Sequence, residues 1–174
     1  MKKILFGIIL LTLLSWGVWA VLRPKVPGAE VPQEEAQFKT YTDPQGAFSF
    51  TYPAAFSVSG REGSTVAKVT VPRSHMPQTN FSEASLEIVR SGPGTDASCK
   101  GTATSTDAAA GNRYETTMVK KLYAGDCYAF TSLIHYTNIQ NYDPHQGITE
   151  FDKAKIESEL GGIVQSFRSL VNSD

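Results

Sequence analysis

An unbroken apolar run from Ile4 to Leu22, led by Lys2 and Lys3, constrains this chain before any other feature. At ~1.5 Å of helical rise per residue it spans ~28 Å, close to the ~30 Å hydrocarbon thickness of a bilayer. It is longer than the ~7–15 apolar residues that a cleaved signal peptide needs. Trp16 and Trp19 stand one helical turn apart near its far end, where indole rings favour the headgroup boundary. Residues 1–22 are therefore expected to form a single-pass transmembrane anchor. Val18-Trp19-Ala20 also fits a small-x-small cleavage site, so the alternative is secretion after cleavage near Ala20. No Cys follows the run, which argues against a lipid-modified N-terminus.

Arg23 and Lys25 balance Lys2 and Lys3, so flanking charge says little about orientation. The chain's 2 cysteines, Cys99 and Cys127, both lie beyond the apolar run. One disulfide between them suits an oxidising compartment, and two reduced core thiols are the alternative. Bridged, they would close a loop worth ~3.6 kcal/mol in the chain-entropy model. The expected placement is a cell-membrane protein with its N-terminus inside and its domain outside.

Residues 23–37 change character abruptly. Pro24, Pro27 and Pro32 prevent a helix and bias the chain to an extended, polyproline-like spacer. At ~3.1 Å per residue it could hold a domain up to ~45 Å from the membrane. Residues 38–174 then have the commonest size of a single domain. Over the whole chain Lys+Arg 16 and Asp+Glu 17 nearly cancel. There is no basic stripe, so nucleic-acid binding lacks its electrostatic footprint.

Hydrophobic periodicity in this region is mostly that of strands. Tyr41-Thr42-Asp43-Pro44-Gln45-Gly46 has turn composition, after which Phe48, Phe50 and Tyr52 alternate with Ser49 and Thr51 up to Pro53. Ala67, Val69 and Val71 alternate before Pro72, and Ala84, Leu86 and Ile88 share a face in the run from Phe81 to Val89. Tyr114 to Tyr123 and Tyr128 to Thr137 predict a hairpin around Ala124-Gly125-Asp126. The second of these strands is apolar on both faces, which places it centrally in a sheet. Ile156, Leu160, Ile163, Val164 and Phe167 then form one stripe at helical period, behind Asp152 as N-cap. Gly161 and Gly162 weaken that helix, and close approach to a sheet is the expected reason for them.

Strands followed by a covering helix predict an α+β fold, an antiparallel sheet sandwiched with helices. Tyr41-Thr42-Asp43 leading to Gly46-Ala47-Phe48-Ser49-Phe50-Thr51-Tyr52-Pro53, with Ile163 and Ser166-Phe167 closing the chain, resembles the PsbP/Mog1-like α/β/α sandwich superfamily. Thr79-Asn80-Phe81, Cys127-Tyr128 and the stretch from Ile134 to Pro144 bring it nearest to bacterial membrane-anchored or secreted members. Members act as binding or assembly factors, from photosystem extrinsic subunits to a Ran-binding protein. The resemblance therefore implies a non-enzymatic binding or assembly module whose partner is a protein or envelope component. It transfers no functional residue.

No Gly-x-Ser-x-Gly, His-Glu-x-x-His, Walker loop or dinucleotide fingerprint occurs, so neither an enzyme nor a cofactor is expected. The alternative is a small-molecule or divalent-metal-binding domain using the 138–152 loop, where Asn138, Asn141, Asp143, His145, Glu150 and Asp152 gather. Asn141, Asp143 and Asp152 could occupy positions 1, 3 and 12 of a calcium loop, but His145 and Gln146 stand where that loop needs a carboxylate and glycine. Asn and Asp at such positions more often make side-chain-to-backbone turns. His135 reads as a hydrogen-bonded core residue and His75 as loop surface. Asn80-Phe81-Ser82 is formally a glycosylation sequon.

Overall fold

The computed structural model describes residues 37–171. The expected anchor, residues 1–22, and the spacer up to residue 36 lie outside the described residues. Among the described residues no helix is long and apolar enough to cross a membrane.

Two antiparallel strands open the domain, β1 (Phe38–Thr42) and β2 (Phe48–Pro53), with Tyr41 paired to Phe50. The turn between them falls where Asp43, Pro44 and Gly46 place it: the Gly46 N–H donates to the Asp43 carbonyl at 2.8 Å, and Gly46 takes φ 69°. There follow β3 (Ser57–Ser59), β4 (Thr65–Val71), β5 (Phe81–Pro93), β6 (Gly101–Ala109), β7 (Asn112–Tyr123) and β8 (Asp126–Thr137). These make a six-stranded antiparallel sheet in the order β3-β4-β5-β8-β7-β6. The doubly apolar strand, β8, is internal as its pattern requires. It joins β7 through Ala124 and Gly125, both at positive φ as a tight hairpin turn demands.

The single α-helix among the described residues, α1 (Lys153–Ser166), precedes β9 (Arg168–Ser169), which pairs with β2 and completes a three-stranded sheet. The Asp152 side chain caps α1 by accepting from the Lys155 N–H at 3.0 Å. Helix α1 and the small sheet cover one face of the large sheet. Phe48, Phe50, Val69, Leu86, Ile88, Phe130, Ile156, Ile163 and Phe167 meet there in one buried cluster. Phe167 lies within stacking distance of Phe48, Tyr123, Tyr128 and Phe130, with ring centroids 4.8–5.1 Å away. One ring thus joins both sheets at the end of α1.

Three expectations need correction. The α+β reading holds as a mostly antiparallel sheet structure with one helix, but among the described residues the second large-sheet face carries no helix. Strand β6 was not expected, because Gly-Thr-Ala-Thr-Ser-Thr-Asp-Ala-Ala has no apolar alternation and all of it is exposed. It is a strand because the hairpin turn at Ala110 and Gly111 (φ 48° and 82°) sets it beside β7. Gly161 and Gly162 do not serve close approach: a Cβ at either would meet no atom within 4 Å.

Candidate functional site

The polar residues of the 138–152 loop are held by local turn chemistry. Asn138 and Asp143 each cap a short 3-10 turn: Asn138 Oδ1 accepts from the Gln140 N–H at 3.1 Å and Asp143 Oδ1 from the His145 N–H at 2.8 Å. Gln146 reaches back to accept from the Asp143 N–H at 3.1 Å, completing a capping box ahead of Gly147 at φ 65°. Asn141 Nδ2 donates to the Gly111 carbonyl at 3.2 Å, tying this loop to the β6–β7 turn. Asp152 is spent on α1. His145 and Glu150 are exposed. Among the described residues no three His, Cys, Asp or Glu side chains gather as metal ligands.

The histidines take other places. His135 lies on the face of β8 away from the core, where Tyr114 stacks on it at 4.4 Å and its Nε2 lies 3.1 Å from Asn112 Oδ1. It is hydrogen-bonded but half-buried, since among the described residues that face has no helix over it. His75 is not simple loop surface. Its ring meets Phe56 edge-on and its Nε2 lies 2.9 Å from Glu159 Oε2 on α1.

The concavity sequence reasoning missed lies between α1 and the outer half of the large sheet. Its volume is 340 Å³; Leu86, Val119, Phe130 and Ile134 form its floor, with Leu160 and Val164 as its helical wall. One side of it is helix α1 and the other is β5, β7 and β8, whose side chains line it together. Gly161 leaves the helical wall low, and Gly162 faces a second, smaller recess with Phe38, Pro53 and Ile163.

Three charged groups and a phenol gather at one side of the cleft, apart from Lys121 on its β7 wall. The Glu115 carboxylate accepts from Tyr136 Oη at 2.6 Å and pairs with Lys153. Lys153 lies also 3.6 Å from Glu157. Burial alone would raise the Glu115 carboxyl, but hydrogen bonds from Lys153 and Tyr136 outweigh it and hold the group below its ordinary value. The same contacts raise Lys153 and Tyr136, each chiefly through its hydrogen bond with Glu115. The arrangement is a clasp of β7, β8 and α1 on one carboxylate.

Cys99 and Cys127 are joined by a disulfide, with Cα atoms 5.5 Å apart. The bridge fastens the segment between β5 and β6 to the start of β8. Asn80, seen in the sequence only as a sequon, is 4% exposed with both ends of its amide in use. Its Nδ2 donates to the Thr137 carbonyl at 2.8 Å and its Oδ1 accepts from the Phe151 N–H at 3.0 Å, so it is a structural brace and has no room for a glycan.

No family model matches the chain, and no curated protein does. Among solved structures it is similar to the solution structure of cyanobacterial PsbP from Synechocystis, at 11% identity and a TM-score of 0.36, over 82% of this chain and 98% of that one. No activity or partner follows from the likeness.

Proposed function

We propose that this chain is a membrane-tethered, extracytoplasmic binding or assembly module rather than an enzyme. Residues 1–22 anchor it with the N-terminus inside, residues 23–37 space it from the surface, and the disulfide-bonded domain faces outward to bind a protein or envelope component. Secretion after cleavage near Ala20 would place the same domain in the same oxidising compartment. The observation that carries the reading is the Cys99–Cys127 bridge, because such a bond persists where thiols are not kept reduced.

The cleft beside α1 is the surface that best suits binding: an apolar floor opens to solvent beside the Glu115–Lys153–Tyr136 clasp. The test is a reporter fused to the carboxyl end of the full chain. One that works only after export should be active, and activity solely of a cytosolic reporter would overturn the placement. Crosslinking in native membranes from a photoreactive residue at Gln165, read by mass spectrometry, should give a discrete adduct that Val164→Glu abolishes. An adduct indifferent to Val164→Glu would remove the cleft from the proposal.

A second reading is favoured by the cleft's size, which lies within the ~300–1,000 Å³ typical of small-molecule pockets. In it the ligand is a small apolar molecule held at the cleft, not an ion or molecule in the 138–152 loop. Native mass spectrometry of the purified full chain would show the bound mass, and its loss in Val164→Glu would support this reading over the first.

A further inference from the structure

We propose that the free edge of β6 pairs antiparallel with β6 of a second copy of this chain, about a two-fold axis at Ser105, so that one sheet runs through both copies. The inference is independent of where the chain resides.

Among the described residues strand β6 is the outermost strand of the large sheet, and all of its residues are exposed. Natural sheets protect such edges with short strands, bulges, lysines or prolines, because unpaired backbone donors and acceptors recruit another strand. The opposite edge follows the rule: β3 is 3 residues long. Strand β6 does not. It has 9 residues, no Lys, Arg or Pro, and a register against β7 without a bulge from Gly101 to Ala109.

The turn decides which backbone groups point outward. Ala109 and Asn112 flank a two-residue turn and therefore form a hydrogen-bonded pair. Counting back by alternation, residues 107, 105, 103 and 101 bond to β7, while Thr102, Thr104 and Thr106 direct their N–H and C=O groups outward; at Ala108 the outward N–H is already taken by Asp107 Oδ1 at 2.7 Å, so only its C=O is left for a partner. An extended chain is the occupant these groups can satisfy.

A second copy fits because the strand is complementary to itself. With Ser105 on the axis, Thr104 opposes Thr106 of the second copy, Thr102 opposes Ala108 and Ala103 opposes Asp107. Outward-bonding residues thus meet outward-bonding residues, threonine meets threonine, and no like charges face each other. Asp107 stands near one end of β6, and Lys120 of β7 lies opposite Gly101 at the other. The two-fold operation brings Asp107 of one copy diagonally toward Lys120 of the other, on the same sheet face, and Gly101 has no side chain to intervene. The contact repeats on both sides of the axis.

The experiment uses the full chain with Ser105→Cys. Cys99 and Cys127 are bridged, so the new thiol is the sole free one among the described residues. Mild oxidation should link residue 105 to its own symmetry mate and give a species of twice the chain mass, while Thr102→Cys, off the axis, should link poorly. Thr104→Pro removes an outward N–H without breaking the ladder to β7 and should lower the dimer fraction about tenfold, as should Ser105→Lys, which opposes two ammonium groups on the axis. Light scattering of the purified full chain in detergent reads both variants, and circular dichroism checks their fold; should Thr104→Pro fail to fold, Ser105→Lys decides. A monomer under all conditions, an adduct with a different protein, or a dimer untouched by the folded variants would each overturn the proposal.

Discussion

The Glu115 carboxylate on β7 pairs with the Lys153 ammonium in the first turn of α1, which clasps the outer part of the large sheet to the helix. Tyr136 on β8 donates to the same carboxylate, so three elements converge on one side chain at the mouth of the cleft.

Glu115→Gln should lower stability by ~0.5–1 kcal/mol at neutral pH, a modest amount because Lys153 is substantially solvated. The folded Glu115 carboxyl titrates below its ordinary 4.5, so its contribution is complete above that value and is lost as pH falls through the folded value. Lys153 titrates above its ordinary 10.5, so on the basic side the contribution is present below 10.5 and lost as pH rises through the raised value. Urea midpoints of wild type and variant should differ by a constant amount between ~pH 5 and ~pH 10 and converge outside that window. A difference that persists undiminished at low pH would exclude the ion pair as its source.

Removing the Cys99–Cys127 bridge, by reductant or as Cys99→Ser, should lower unfolding free energy by ~3.6 kcal/mol, from the loop entropy of a sequence separation of 28. Chemical denaturation with and without reductant measures it. Equal thiol labelling of native protein under both conditions would refute the bridge.

Asn80→Ala should destabilise by roughly 2–4 kcal/mol, since the Thr137 carbonyl and Phe151 N–H would both lose a buried partner. Asn80→Asp should be nearly as harmful, because it keeps the acceptor but removes the donor. A loss below about 0.5 kcal/mol in calorimetry would show that water replaces the amide.

Gly161→Ala and Gly162→Ala should each stabilise the protein by up to ~1 kcal/mol, because alanine is the better helix former and its Cβ meets open space at both positions. Thermal unfolding should shift upward for each. For Gly161, which lines the cleft, any accompanying loss of binding would locate the ligand against the helix wall.

Strands β2, β4, β5 and β8 were legible because each presents alternate side chains to a core, and that alternation is written locally. The terminal helix was legible for the same reason at a different period, and its Asp152 cap is a contact over three residues. The Asn138 to Asp152 cluster could be noticed but not interpreted as to site: its oxygens answer to neighbouring backbone N–H groups, a competition that side-chain type alone leaves open. Strand β6 carries no such signal, since it buries nothing and exists through its pairing with β7.

By itself the sequence determined the alternation of strands, the amphipathic helix and its cap, because these depend on residues within a few positions of one another. Only the tertiary structure decided that Val119 and Leu160 face across a cleft, that Glu115 meets Lys153, that Asn80 braces Thr137 and Phe151, and that one long polar strand is left on an open edge. Those relationships depend on how far α1 extends over the sheet and on strand order, and such long-range packing is set by the whole buried core rather than by any stretch of chain.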